Sequence, residues 1–164
     1  AFAHQYESIE PYRRLCQERG VSPENLSSWT EVPWVPVTAF RSLALHAGPP
    51  LETFRSSGTT AGEAQRGVHH HPYPDLYRAT IDASFPRAVF AGIGRPDALS
   101  LVVPRNLSTE SSLGFMIDHV LRTHAGPGSL EAFGPRDQVA AKFASPSGPR
   151  PVVVSTNEPA GRRP

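Results

Sequence analysis

Apolar residues along this chain fall into helical stripes and short continuous runs. The clearest stripe follows the i, i+3, i+4, i+7, i+8 spacing and consists of Leu113, Met116, Ile117, Val120 and Leu121. This spacing predicts a helix with one buried face. Residues 99–103 and 151–156 are short apolar runs, the second rich in β-branched side chains, and both are predicted to be buried strands.

The N-terminal pattern predicts a helix over residues 4–19. Pro11 is suited to an internal helix start, and Gly20 is a typical stop signal. Cys16 lies on the apolar side of this helix and is predicted to be a small core residue.

A second start signal follows, because Ser22 can cap a helix and Pro23 fits the first helical position. Residues 30–38 are not expected to form a regular helix. Pro33 and Pro36 lack N–H donors and bias the residues before them towards extended conformations.

Further helices are predicted from Asp75 onward, where Pro86 should kink or end the helix, and over residues 136–143. Alternating strands and helices predict an α/β fold, with a mostly parallel sheet and flanking helices. The length favours one domain, assigned to 1–156, with 157–164 as a disordered or frayed tail.

Composition narrows the function classes. The chain has 164 residues and a formal net charge of +1, which argues against binding to nucleic acid or a membrane surface through bulk charge. No apolar run approaches the ~20 residues of a membrane span. Cys16 is the only cysteine, so an internal disulfide is excluded and a cytoplasmic location is predicted.

The stretch at 54–62 combines hydroxyl side chains with two glycines directly after a predicted strand. Glycines allow a sharp turn, and successive N–H groups in such a turn form a concave anion site. The stretch is therefore a candidate phosphate-holding loop, although Ser, Thr and Gly are also ordinary loop residues. It is not a Walker A loop, because the chain has no Gly-Lys pair.

The order Ser56-Ser57-Gly58-Thr59-Thr60 resembles the phosphate loop of the acyl-adenylate-forming ligases. Within that superfamily the chain most resembles the acyl-protein synthetases of bacterial bioluminescence, which are long-chain-fatty-acid–protein ligases. Further segments resemble that family and occur in the family's order over about residues 11–156. They are the segment before the loop at 33–41, then Asp75-Leu76-Tyr77, and the pair 99–104 and 111–116. Ala61 and the absence of the usual lysine depart from the pattern, and Arg66 is the nearest cation.

The resemblance implies the N-terminal portion of an adenylate-forming ligase fold. It implies that Ser56, Ser57, Gly58, Thr59 and Thr60 hold the β- and γ-phosphates of ATP with Mg²⁺, and that Arg66 supplies the missing cation. The implied substrate is a fatty acid or other carboxylate, which is activated as an acyl-adenylate and passed to a protein thiol. An acyl reductase is the implied candidate partner. Because no downstream ribose-binding Asp or catalytic Lys is recognised, we expect the chain alone to be an incomplete enzyme.

Histidines offer a different chemistry. The run 69–71 could place two imidazoles on one ion, but a polar loop is the favoured interpretation, and no metal site is predicted. His119 and His124 are expected to be solvated or capping residues. Ser111-Ser112 is expected to cap the helix start, and the alternative, which the resemblance favours, places these hydroxyls near the nucleotide. The alternative to a ligase fragment is a noncatalytic α/β module that binds an anion or a partner protein through the same Ser/Gly/Thr loop.

Overall fold

The computed structural model describes residues 1–56, 66–134 and 152–154. The protein is a mixed α/β chain that divides into two compact units, Ala1–Pro74 and Asp75–Pro164. The first unit contains helices α1 (Phe2–Ser8) and α2 (Glu10–Glu18) and strands β1 (Glu52–Arg55) and β2 (Val68–His71). The second contains strands β3 (Ala98–Ser100), β4 (Leu130–Glu131) and β5 (Val152–Val154) and helix α4 (Ser112–Thr123). Helix α3 (Pro74–Val89) begins at the boundary.

Two helices replace the single one predicted over 4–19. The chain breaks at Ile9, which is extended with φ −113° and ψ 97°. In a continuous helix the N–H of residue 11 would bond to the carbonyl of Glu7, but Pro11 has no N–H. The guanidinium of Arg13 donates to that carbonyl instead, at 3.2 Å. Pro11 therefore begins a new helix.

Helix α2 anchors the first unit through Tyr12 and Cys16, which lie one turn apart and are both buried. The Tyr12 hydroxyl donates to the carbonyl of Pro33 at 3.0 Å. Burial, with a smaller contribution from Cys16, raises the pKa of Tyr12 to about 12. Burial also raises the pKa of the Cys16 thiol. The prediction that Cys16 is a core residue is confirmed.

The predicted helix start at Ser22 is wrong, because the chain forms a turn there. Gly20 adopts φ +68°, the left-handed region that favours glycine. The side chain of Asn25 then accepts the N–H of Ser22 at 2.7 Å and donates to the Gly20 carbonyl at 2.8 Å. These local bonds compete with helix formation. Short 3₁₀ turns follow at Trp29–Glu31 and Val37–Arg41, consistent with the prediction that 30–38 is not a regular helix.

Pro86 does not end helix α3, which continues through it to Val89. A proline inside a helix costs about 3 kcal/mol because it removes a hydrogen bond and crowds the preceding turn. Only the last turn of α3 follows Pro86, and the N–H of Phe90 bonds to the Pro86 carbonyl at 3.1 Å. The Phe90 side chain is almost fully buried and packs edge-on against Phe85. This burial offsets the cost of the proline.

Helix α4 begins at the predicted cap, since the hydroxyl of Ser111 accepts the N–H of Gly114 at 3.0 Å. Its buried face is centred on Ile117 and Val120, with Met116 partly buried. The core of the second unit is completed by residues from the flanking elements: Ile81, Phe90, Ala98 and Ala125.

The second unit contains a parallel sheet with strand order β4-β3-β5. Leu99 pairs with Leu130 on one side and with Val153 on the other. All three residues of β3 are buried, as expected for a central parallel strand. The α/β class and the parallel pairing are thus confirmed for this unit, as are strands near 99–103 and 151–156. The predicted burial holds for β3 but is wrong for β5, where Val153 is 48% exposed. The predicted helix at 136–143 lies outside the described residues.

Candidate functional site

Strands β1 and β2 form an antiparallel hairpin that carries the candidate phosphate loop. The pairing runs from Glu52 opposite His71 to Arg55 opposite Val68. Phe54 is buried and fixes the inner face of β1. The hairpin therefore brings the two ends of the loop to one place.

The loop ends are joined by three hydrogen bonds. The N–H of Ser56 donates to the Gly67 carbonyl at 2.9 Å, and the N–H of Gly67 donates to the Ser56 hydroxyl at 2.8 Å. The Nε of Arg66 donates to the Ser56 carbonyl at 2.5 Å. Ser56 is thus bound through its N–H, its carbonyl and its hydroxyl, and the guanidinium of Arg66 is held beside the start of the loop.

Of the predicted phosphate-binding residues, Ser56 and Arg66 are brought together at the base of the loop. Ser57, Gly58, Thr59 and Thr60 lie outside the described residues. The predicted flanks are confirmed, because β1 ends at Arg55 and α3 begins at Pro74, next to the expected Asp75.

The histidine run is a strand rather than the predicted polar loop. Edge-to-edge pairing with β1 supplies the backbone bonds that a loop would lack. Because successive side chains of a strand point to opposite faces, His70 lies on the other face of the hairpin from His69 and His71. The Nδ1 atom of His70 lies 3.1 Å from the Thr53 hydroxyl oxygen. His69 stacks on Phe40 with ring centroids 4.3 Å apart. Burial lowers the pKa of His69 and of His71, and a neighbouring histidine adds to each shift.

A second candidate site lies in the other unit, where Asp82 of α3 meets His119 and His124. The Nε2 of His119 lies 2.7 Å from Asp82 Oδ1, and the Nε2 of His124 lies 2.6 Å from the same oxygen. The two imidazole rings stand nearly perpendicular, with centroids 6.1 Å apart. One ligand atom from each residue lies within 4.8 Å of the other two.

The cluster is partly open to solvent. The histidine side chains are 15% and 24% exposed, while that of Asp82 is 46% exposed. Hydrogen bonds from His124 and then His119 lower the pKa of Asp82. The cluster therefore combines a carboxylate with two imidazoles, a donor set that can bind a transition metal.

The sequence predicts that these histidines are solvated or capping residues. His124 is indeed the residue at the C-terminal cap of α4, but both imidazoles bind Asp82. The partners are separated by 37 and 42 residues, so no local motif could reveal them. The one available signal was that His119 directly precedes Val120, a core position of the predicted helical stripe.

No protein-family model matches this chain, and a search of curated proteins finds no match either. Within the described residues, no helix is both long and apolar enough to cross a membrane.

Proposed function

We propose that this chain is the phosphate-binding, N-terminal portion of an ATP-dependent ligase that activates a carboxylate and passes the acyl group to a protein thiol. The observation that carries the proposal is the hairpin base, where Gly67 and Arg66 both bind Ser56, the first residue of the Ser-Ser-Gly-Thr-Thr sequence. A fixed base supports the proposal because a loop that binds phosphate needs its N–H groups held in place before the ligand arrives.

The loop then acts through charge and hydrogen bonding. The backbone N–H groups and hydroxyls of residues 57–60 donate to the β- and γ-phosphates, and Mg²⁺ enters with ATP. Arg66 uses Nε on the loop backbone, and a guanidinium has further N–H donors on its Nη atoms that suit a phosphate oxygen. Arg66 thus takes the place of the lysine that the resembling ligases have.

The reaction has two steps. A carboxylate oxygen attacks the α-phosphorus of ATP, and the bond to the β-phosphate oxygen breaks, so that pyrophosphate leaves with the bonding electrons. A thiolate then attacks the acyl carbon of the acyl-adenylate, and AMP leaves. The proposed loop acts in the first step, where donors fixed around the leaving pyrophosphate stabilise its developing charge. A fatty acid is the proposed carboxylate.

Ligand selectivity tests the proposal. A fluorescent ATP analogue would be bound to the purified chain with Mg²⁺ and displaced by ATP, pyrophosphate, AMP or sulfate. If the loop binds the β- and γ-phosphates, ATP and pyrophosphate displace the analogue at much lower concentrations than AMP or sulfate. Equal displacement by sulfate would favour the noncatalytic anion-binding module, and displacement by AMP as readily as by ATP would contradict the assignment to the β- and γ-phosphates.

A further inference from the structure

We propose that Asp82, His119 and His124 form a binding site for one Zn²⁺ ion. The three residues supply a carboxylate oxygen and two imidazole nitrogens, all within 4.8 Å of one another. Two histidines and one carboxylate, with a fourth position left to water, are an established ligand set for zinc. The site lies wholly in the second unit and does not depend on the hairpin loop or on the function proposed for it.

The core holds the three ligands in place. Asp82 follows Ile81, and Ile81 is 2% exposed. His119 and His124 each directly precede a buried core residue, namely Val120 and Ala125. Since these neighbours pack in one cluster, the backbone at each ligand is fixed by apolar contacts that a metal ion would not disturb. Binding would therefore cost little reorganisation of the backbone.

The two nitrogen–oxygen distances are compatible with a zinc site that opens slightly when the ion binds. Ligand atoms about 2.0–2.1 Å from a tetrahedral zinc lie about 3.3 Å from one another. The two nitrogen–oxygen distances to Asp82 are now 2.7 and 2.6 Å, which are hydrogen-bond lengths. Each must lengthen by about 0.6 Å. Asp82 has the most exposed side chain of the three and can turn to make this room.

Local electrostatics favour a cation. The carboxylate of Asp82 is charged at neutral pH, and His124 occupies the C-terminal cap of α4, where the helix dipole presents partial negative charge. The arginine in the last turn, Arg122, is paired with Asp118 at 2.9 Å. Its charge is thus balanced on its own helix.

Zinc titration of the purified chain tests the site. The chain is prepared without a polyhistidine tag, treated with a chelator, and titrated with Zn²⁺ in competition with a chromophoric zinc indicator. We expect one zinc to bind, and the Nε2 resonances of His119 and His124 to shift on binding in long-range ¹H–¹⁵N spectra. Failure of the chain to compete with the indicator, or shifts confined to other histidines, would overturn the proposal.

Two variants and one control assign the ligands. The double variant His119→Gln and His124→Gln should weaken zinc binding by about 100-fold or more, because even partners outside the ligand shell commonly contribute 10- to 100-fold. Asp82→Asn, which preserves size and an accepting oxygen, should also weaken binding if the charged oxygen is a ligand. Circular dichroism checks that each variant folds.

The matched control removes two imidazoles from β2 by His69→Gln and His71→Gln. This control should retain the affinity of the unaltered chain. If the control loses zinc binding while the His119/His124 variant keeps it, the metal binds to the histidine run and the proposal is wrong.

Discussion

Replacing Ile81 by alanine tests whether the second unit is built on the core described above. Ile81 is 2% exposed and packs with Phe90, Ala98, Val120 and Ala125. Truncation of a fully buried isoleucine to alanine typically costs 2–5 kcal/mol, from lost apolar burial and from the cavity left behind. Alanine has the higher helix propensity, which returns about 0.4 kcal/mol in the middle of α3. We therefore expect a net loss of about 1.5–4.5 kcal/mol.

Urea denaturation followed by circular dichroism measures this loss. Leu76→Ala on the same helix is the matched control, because Leu76 is 67% exposed and its truncation should change stability by less than about 0.5 kcal/mol. A loss below 1 kcal/mol for Ile81→Ala, or equal losses for the two variants, would refute the assigned core. It would also mean that packing of Ile81 does not fix the backbone at Asp82.

Three further predictions concern other parts of the chain. Gly126→Ala should be strongly destabilising in urea denaturation, because an added Cβ would lie 2.9 Å from a backbone oxygen. The control, Gly48→Ala, should be tolerated, because its Cβ would meet nothing closer than 3.8 Å. Similar urea midpoints for the two variants would contradict this prediction. Because the pKa of His69 is lowered in the folded protein, its imidazole takes up a proton more readily in the unfolded chain. The free energy of unfolding should therefore fall as the pH drops below about 6.5. His69→Phe keeps a ring for stacking on Phe40 and should lose less stability than the unaltered chain between pH 7.5 and 5. Equal losses in the two proteins would show that His69 does not cause the pH dependence. Cys16 should react with a thiol reagent only after urea unfolds the chain, since it is fully buried; fast labelling of the native protein would show that α2 is not packed as described.

Local signals in the sequence predicted the elements whose causes are local. The stripe around Ile117 and Val120 and the Ser111 cap predicted α4, and the apolar run near 99–103 predicted β3. The prediction failed where long-range packing decided the outcome. Pro86 is tolerated because Phe90 is buried just beyond it.

The strand at 69–71 was missed for a similar reason. Histidine has no marked strand preference, and this segment is extended because it pairs with β1. The Asp82 cluster depends on two helices meeting across 37 and 42 residues of sequence, a relation that no spacing rule expresses. The base of the candidate phosphate loop was predicted only as a loop, without the bonds between Ser56, Arg66 and Gly67.

The central claim is that the loop beginning at Ser56 binds nucleotide phosphates. Calorimetric titration of Mg·ATP into the double variant Thr59→Ala and Thr60→Ala tests it most directly. The control is Thr80→Ala, which removes an exposed hydroxyl that donates within its own helix, to the Leu76 carbonyl at 2.8 Å. A hydroxyl that bonds a charged phosphate contributes about 1.5–3 kcal/mol, so the double variant should bind Mg·ATP at least about tenfold more weakly than the unaltered chain. The control should keep the original affinity, and both should keep the same unfolding curve. Undiminished binding by the double variant, or no saturable binding by the unaltered chain, would contradict the claim.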